Sequence, residues 1–266
     1  SVTSDTNEGG ACGLADAKTI DSSWSGKPLK FPLIQGADVY GKIAKVGSDI
    51  SPKRIGESVL VRTMQENPDT SENSCWTIGS ECNGGFAQYI AVRSSEAFVI
   101  NSDWSATELA SIPCAYSTAE GLLHRSQVEK ETVLITGASG GVGSAAIQLA
   151  KLRDATVIAQ CAREKSEEVL QIGADKIVFR DSDLLAEMGS DAVDVVIDLV
   201  GGSNWTQLLY IIKPGGRYAT SGAIAGPIVE LDLRTLYLKD LTLYGCTFQP
   251  KKVFINLIKY IEDNKI

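Results

Sequence analysis

The stretch TVLITGASGGVGSAAIQLAK, residues 132–151, constrains this chain more than any other. It opens on β-branched and apolar residues suited to a buried strand. A glycine-dense turn follows, and then Ala, Ile and Leu return at helical spacing. Strand, turn and helix in that order make half of a crossover unit, which points to a parallel sheet. In the turn, Gly140, Gly141 and Gly143 let an anion approach the backbone and let the helix approach its strand, with Ser139 and Val142 beside them. The amides and dipole of a helix start favour a pyrophosphate. Ala138 stands at the first glycine position of G-x-G-x-x-G, so the match is imperfect. The plainer reading is a tight turn that binds nothing.

The same rhythm continues beyond this unit. Apolar runs ATVIAQ, KIVF, VDVVIDLV, RYATSG and LTLYGC alternate with helical segments such as EKSEEVLQIG, SNWTQLLYIIK and LRTLYLKD. With TVLIT they make six strands, the count of a doubly wound nucleotide-binding sheet. The expected fold class is α/β, with a Rossmann domain over residues 120–266 that closes on a helix in KVFINLIKYIEDNKI.

Residues 1–119 read differently. Short β-type runs, DVYGKIAKVG, ESVLVRT, GGFAQYIAV and AFVI, sit between Gly, Pro, Asn and Ser punctuation, which suggests a compact β-rich domain. Residues 64–83 form a polar excursion, either a mobile loop or a lobe over a binding site. Six scattered cysteines make no disulfide framework and no C-x-x-C, so a reducing cytoplasmic setting is the expectation. Cys75 and Cys82 give only two of the four ligands a structural zinc lobe needs. The net charge of -8 without a basic run disfavours nucleic acid and anionic membrane surfaces as partners, and no apolar run is long enough to span a bilayer.

Cofactor choice is written about 20 residues past the glycine turn, where a ribose-binding acid would stand. Gln160 and Cys161 occupy that place, and Arg163 and Lys165 follow. Without a carboxylate to repel a 2′-phosphate, and with two cations beside it, the pattern points to NADP(H). The alternative is that both cations are solvated surface residues.

FPLIQGADVYGKIAKVGSDI, GGFAQY, TGASGGVGSAAIQLAK, IKPGGRYATSGAIAG and LYLKDLTLYGC together resemble the medium-chain dehydrogenase/reductase superfamily, in its quinone oxidoreductase-like and zinc-type alcohol dehydrogenase-like branch. The resemblance implies a GroES-like catalytic domain over 1–119, a Rossmann domain over 120–266 and a nicotinamide held in the cleft between them. It implies cofactor contacts at Thr118 (within CAYSTA), Val200, Gly201, Ser221, Gly222, Ala223, Cys246 and Thr247, besides the glycine turn, Arg163 and Lys165. Lys18, Gln35, Tyr40, Trp76 and Cys114 are candidates for the substrate pocket, while Asp38 is expected to serve loop hydrogen bonding. The family pattern runs past both ends of the sequence, so the catalytic half is expected to be partial.

The resemblance also bears on metal. Zinc members carry a Cys in G-x-C, a His in G-H-E and a Cys before S-T-G. Here Ala15 and Ala37 hold the first two places and only Cys114 remains. One thiolate does not replace three protein ligands, and His124 continues a helix away from the cleft, so no zinc is expected. The expected activity is NADPH-dependent hydride transfer to a quinone or an α,β-unsaturated carbonyl. A zinc-free alcohol or aldehyde reductase and a non-catalytic NADPH-binding protein are the alternatives. No proton donor is assigned. A homodimer built across the LTLYGCTF edge strand is expected by the same resemblance.

Overall fold

The computed structural model describes residues 2–3, 31–66 and 75–266. Lys18 and Ala15 lie outside the described residues. Two compact units result, Ser1–Ser117 with Phe248–Lys265, and Thr118–Thr247 with Ile266.

In the first unit, strands β1 (Val2–Thr3), β2 (Val39–Lys42), β3 (Ser58–Val61) and β6 (Ala97–Val99) form an antiparallel sheet in the order β1-β2-β3-β6. A separate hairpin pairs β4 (Met64–Glu66) with β5 (Cys75–Thr77), setting Gln65 opposite Trp76. The polar excursion is therefore a two-stranded arm at its roots. GGFAQYIAV forms no strand, contrary to its β-type composition. Its first amides are taken by loop carbonyls: Gly84, Gly85 and Phe86 donate to Ile34, Gly36 and Gln35 at 2.7, 2.7 and 2.9 Å. A Cβ at Gly84 would lie 2.2 Å from the Gly36 carbonyl oxygen, so the crossing exists only because neither residue has a side chain.

Among the described residues, the α-helices α1 (Ala106–Ala110) and α8 (Lys251–Glu262) lie wholly in this unit. Every third or fourth residue of α8 is apolar, and Val253, Phe254, Leu257, Ile258 and Ile261 are buried. The last helix, expected within a domain running to residue 266, packs in the first unit instead. Phe254 meets Phe98 with ring centroids 5.1 Å apart. Arg62, fully buried, pairs with buried Glu96 at 2.7 Å and donates to the Gln249 carbonyl at 2.8 Å just ahead of α8.

The second unit holds the expected six strands, all parallel. They are β7 (Thr132–Ile135), β8 (Thr156–Cys161), β9 (Lys176–Phe179), β10 (Val193–Asp198), β11 (Ile212–Thr220) and β12 (Thr242–Gly245), in the spatial order β12-β11-β10-β7-β8-β9. This is the doubly wound order, with a switch point where β7 is flanked by β8 and β10. Crossovers run through helices α3 (Gly141–Lys151), α4 (Ser166–Ile172), α5 (Leu184–Met188), α6 (Trp205–Ile211) and α7 (Leu233–Leu238). Helix α2 (Ala115–Arg125) leads into the sheet. Val133, Leu134 and Ile135 of β7 and Val195, Val196 and Ile197 of β10 have no exposed surface, as central parallel strands require.

Candidate cofactor site

The site is assembled at the carboxyl ends of β7, β10, β11 and β12. After β7 the chain turns at Gly137, whose φ of +60° favours glycine, and Gly140 N–H closes the turn on the Gly137 carbonyl at 3.0 Å. Ala138 is buried and its N–H donates to the Gln160 carbonyl at 3.1 Å, binding the turn to the end of β8. Gly140 caps α3 without a side-chain hydrogen bond, and Ser139, Gly140 and Gly141 are exposed. The first amides of α3 have no carbonyl one turn back, so this open rim presents donors and the positive end of the helix dipole. Gly143 has another task. A Cβ there would lie 2.3 Å from the Gly137 carbonyl oxygen and 2.6 Å from the Ala138 Cα, so its hydrogen is what seats the helix on the turn. The imperfect first position costs nothing visible, because the Ala138 methyl lies in the core.

At the end of β8, Gln160 and Cys161 are buried, and burial together with nearby Glu164 pushes the Cys161 thiol up from its ordinary value. The Arg163 guanidinium lies 4.1 Å over the Phe179 ring and 3.5 Å from Asp181. Lys165 pairs with Glu168 at 3.1 Å. Both pairs are well exposed, and such contacts are weak and exchangeable. Contact with the Phe179 ring keeps the guanidinium beside the end of β9 while the Arg163 side chain stays well exposed.

After β10, Val200 and Gly201 follow Asp198, a fully buried carboxylate that accepts from Thr136 Oγ1, Val200 N and Gly201 N at 2.6, 3.0 and 3.2 Å. After β11, Ser221, Gly222 and Ala223 run beside that loop, and a Cβ at Gly222 would meet the Leu199 carbonyl oxygen at 2.6 Å. After β12, Cys246 N–H donates to the Thr220 carbonyl at 2.9 Å and Thr247 is exposed. The expected cofactor residues between Ser139 and Thr247 thus stand at the carboxyl end of one sheet, while Thr118 lies buried in α2. Sequence reasoning missed Asp198 and Thr136. The signal was an acid ending the most apolar strand of the chain, VDVVIDLV.

The pocket candidates of the first unit are less concentrated. Tyr40 stands opposite Leu60 in the four-stranded sheet, Trp76 belongs to the hairpin, and Gln35 lies in the loop crossing. Arg93 places its guanidinium 5.4 Å from the Trp76 ring centroid and donates to Gln65 Oε1 and the Glu66 carbonyl. Ala37, Asp38 and Cys114 are all buried. Asp38 Oδ1 accepts the Cys114 N–H at 2.6 Å, which is a loop hydrogen bond of the expected kind. Burial pushes the Asp38 carboxyl up to about 7 against the pull of that N–H. His124 lies in the last turn of α2, exposed to solvent. Among the described residues, no three His, Cys, Asp or Glu side chains are grouped to hold a metal ion. Nor is any helix there long and apolar enough to cross a membrane.

Comparison with known proteins agrees with this geometry. Residues 6–102 match the alcohol dehydrogenase GroES-like domain, and residues 141–263 match the zinc-binding dehydrogenase family model. The chain is 30% identical over 245 residues to the quinone oxidoreductase of Sus scrofa, covering 88% of this chain and 68% of the relative. It is 27% identical over 252 residues to the acryloyl-coenzyme A reductase of Metallosphaera sedula, covering 90% and 75%. A solved structure from Sinorhizobium meliloti 1021, described as an alcohol dehydrogenase, superposes with a TM-score of 0.83 at 46% identity, covering 90% of this chain and 68% of that one.

Proposed function

This chain belongs to the medium-chain dehydrogenase/reductase superfamily of oxidoreductases, and on that premise we propose that it is an NADP(H)-dependent reductase of quinones or α,β-unsaturated carbonyls that works without zinc. The observation that carries the cofactor half is the exposed, uncapped start of α3 beside a strand end with no acid at Gln160 or Cys161. Ser139 and Gly141 to Gly143 receive the pyrophosphate on backbone amides, while Gly140 keeps the turn closed, and Arg163 and Lys165 turn from Asp181 and Glu168 to the 2′-phosphate. Val200, Gly201, Ser221 to Ala223, Cys246 and Thr247 line the remainder, and Thr118 lies against the nicotinamide. When bound, the nicotinamide supplies hydride.

The zinc-free half rests on residue chemistry. Ala37 is buried where zinc members carry a histidine, Ala15 stands where they carry a cysteine, and Cys114 alone leaves a donor set too small for a catalytic zinc. Without a Lewis acid, alkoxide chemistry loses its stabiliser, whereas reduction of a conjugated carbonyl needs only hydrogen bonds to the oxygen and a proton source. The names of the quinone oxidoreductase and acryloyl-coenzyme A reductase relatives support this substrate class. Lys18, Gln35, Tyr40, Trp76 and Cys114 are its proposed lining, residues 1–119 its domain, and 120–266 the cofactor domain apart from α8. A second reading, reduction of simple aldehydes, draws on the alcohol dehydrogenase description of the Sinorhizobium structure.

NADPH oxidation against quinones, enals and simple aldehydes, with metal analysis of the same sample, tests both halves. Turnover of quinones or enals with sub-stoichiometric zinc is expected. Turnover confined to aldehydes selects the second reading, and one zinc per chain overturns the first. We place the protein in the cytoplasm as a homodimer paired through β12, and light scattering that gives a monomer at micromolar concentration contradicts the pairing.

A further inference from the structure

Asp198 ends β10 with no exposed surface, and a carboxylate in such a place needs a reason. Its hydrogen-bond donors are neutral: the Thr136 and Tyr218 hydroxyls at 2.6 Å each, and the amides of Val200 and Gly201 at 3.0 and 3.2 Å. Replacing buried charge with apolar side chains is often neutral or stabilising, so packing alone does not call for an aspartate here. What the carboxylate does is fix a loop. Leu199 N–H donates to Thr136 Oγ1 at 2.9 Å, so three successive amides, Leu199 to Gly201, are turned inward onto one hydroxyl–carboxylate pair.

The loop so held touches both of its neighbours. Gly201 and Gly202 adopt φ of +63° and +76°, and the Val200 carbonyl accepts the Ala225 N–H at 2.9 Å. On the other side, a Cβ at Gly137 would lie 3.2 Å from Val200 Cγ2. Thr136 is the last residue before the glycine turn, and Tyr218 lies in β11 just before the loop that carries Ser221 to Ala223. Burial and the charge of Asp198 push the Tyr218 hydroxyl up, which keeps it a donor.

We propose that Asp198 is a positioning residue for the dinucleotide cradle: through Thr136 and Tyr218 it sets the loops after β7, β10 and β11 in one arrangement. By holding the Leu199–Gly201 amides inward, it leaves anion binding to the amides of Ser139 and of Gly141 to Gly143. The inference rests on the cofactor reading above.

Titration of NADPH and NADH into wild type, Asp198→Asn, Tyr218→Phe, Thr136→Val and Thr136→Ser tests it, at a temperature where circular dichroism shows each folded. Amide hydrogen exchange of residues 199–201 is followed in the cofactor-free proteins. Asp198→Asn keeps the size but loses an acceptor, and it is expected to weaken both cofactors equally, by about tenfold, with faster exchange in the loop. Tyr218→Phe and Thr136→Val lose less in the same direction, and Thr136→Ser, which keeps the hydroxyl, binds as wild type does. Wild-type affinity in a folded Asp198→Asn protein overturns the inference, as does a loss confined to NADPH, which would place the effect at the 2′-phosphate. Should Asp198→Asn not fold, wild-type affinity in both Tyr218→Phe and Thr136→Val overturns it equally. A wild-type protein that binds neither cofactor sinks the cofactor reading itself, and this inference with it.

Discussion

In the second unit each strand lies parallel to neighbours reached through helices. The first unit instead holds short antiparallel strands and fastens them with polar and backbone crossings. The sheet of the second unit is stabilised by apolar burial spread over continuous runs such as VDVVIDLV, with six strands sharing the load. The first unit adds to its own apolar burial, around strands β2 and β3 and under α8, a few specific links: the Arg62–Glu96 pair with its reach to Gln249, the Asp38–Cys114 bond, and the Gly36–Gly84 crossing. Distributed burial tolerates single changes better than point fastenings do, so the two units should fail in different ways.

The largest effect is expected at the buried ion pair. Arg62→Ala leaves buried Glu96 with only Lys251, 3.4 Å away, and frees the Gln249 carbonyl, which should cost about 3 kcal/mol, the low end for a broken buried pair. Urea denaturation checks this, and a loss below about 1 kcal/mol would show that the first unit does not lean on this clamp.

Next comes Asp38. Its carboxyl titrates near 7 in the folded protein against 3.8 in its ordinary state. Between those values the native state holds a proton that the unfolded chain has released, so stability attributable to this group falls as pH rises from about 4 to 7. Asp38→Asn removes that slope. The stability of the variant relative to wild type should therefore grow between pH 5 and pH 7, by on the order of 2–3 kcal/mol at about 1.4 kcal/mol per pH unit. A difference that is flat with pH would contradict the burial account.

In the second unit, Gly143→Ala forces a methyl against the Gly137 carbonyl and should cost about 1–3 kcal/mol, with weaker cofactor binding because the turn must move. Gly140→Ala meets only one atom, at 3.4 Å, and should be milder. Equal effects from the two would mean that the close approach at Gly143 is not what seats the helix.

The difference between the units also decides how much was legible in the sequence. The central strands β7, β8 and β10 were visible because they are buried on both faces and therefore written as apolar runs, while the partly exposed edge strands β9 and β12 were marked by the helical segments that flank them. The glycine turn was visible for the same local reason. Asp198 was hidden, since its partners Thr136 and Tyr218 come from separate strands and only the fold brings them together. In the first unit GGFAQYIAV carries strand-like composition, yet its first three amides go to the 34–36 loop, a long-range partner that periodicity cannot reveal. Helix α8 was legible as a helix, but its membership of the first unit depends on Phe98 and Arg62, far away in sequence.

The smallest expected effect bears on the central claim, that the end of β8 is a 2′-phosphate site and not merely a solvated surface. On the proposed reading Arg163 exchanges a weak, exposed contact with Asp181 for a charge-assisted contact with phosphate, so Arg163→Ala should weaken NADPH by about tenfold. Calorimetric titration of NADPH and NADH into wild type and Arg163→Ala decides the matter. The account predicts tighter NADPH than NADH in wild type and a loss in the variant confined to NADPH. Equal affinities in wild type, or equal losses in the variant, would contradict it.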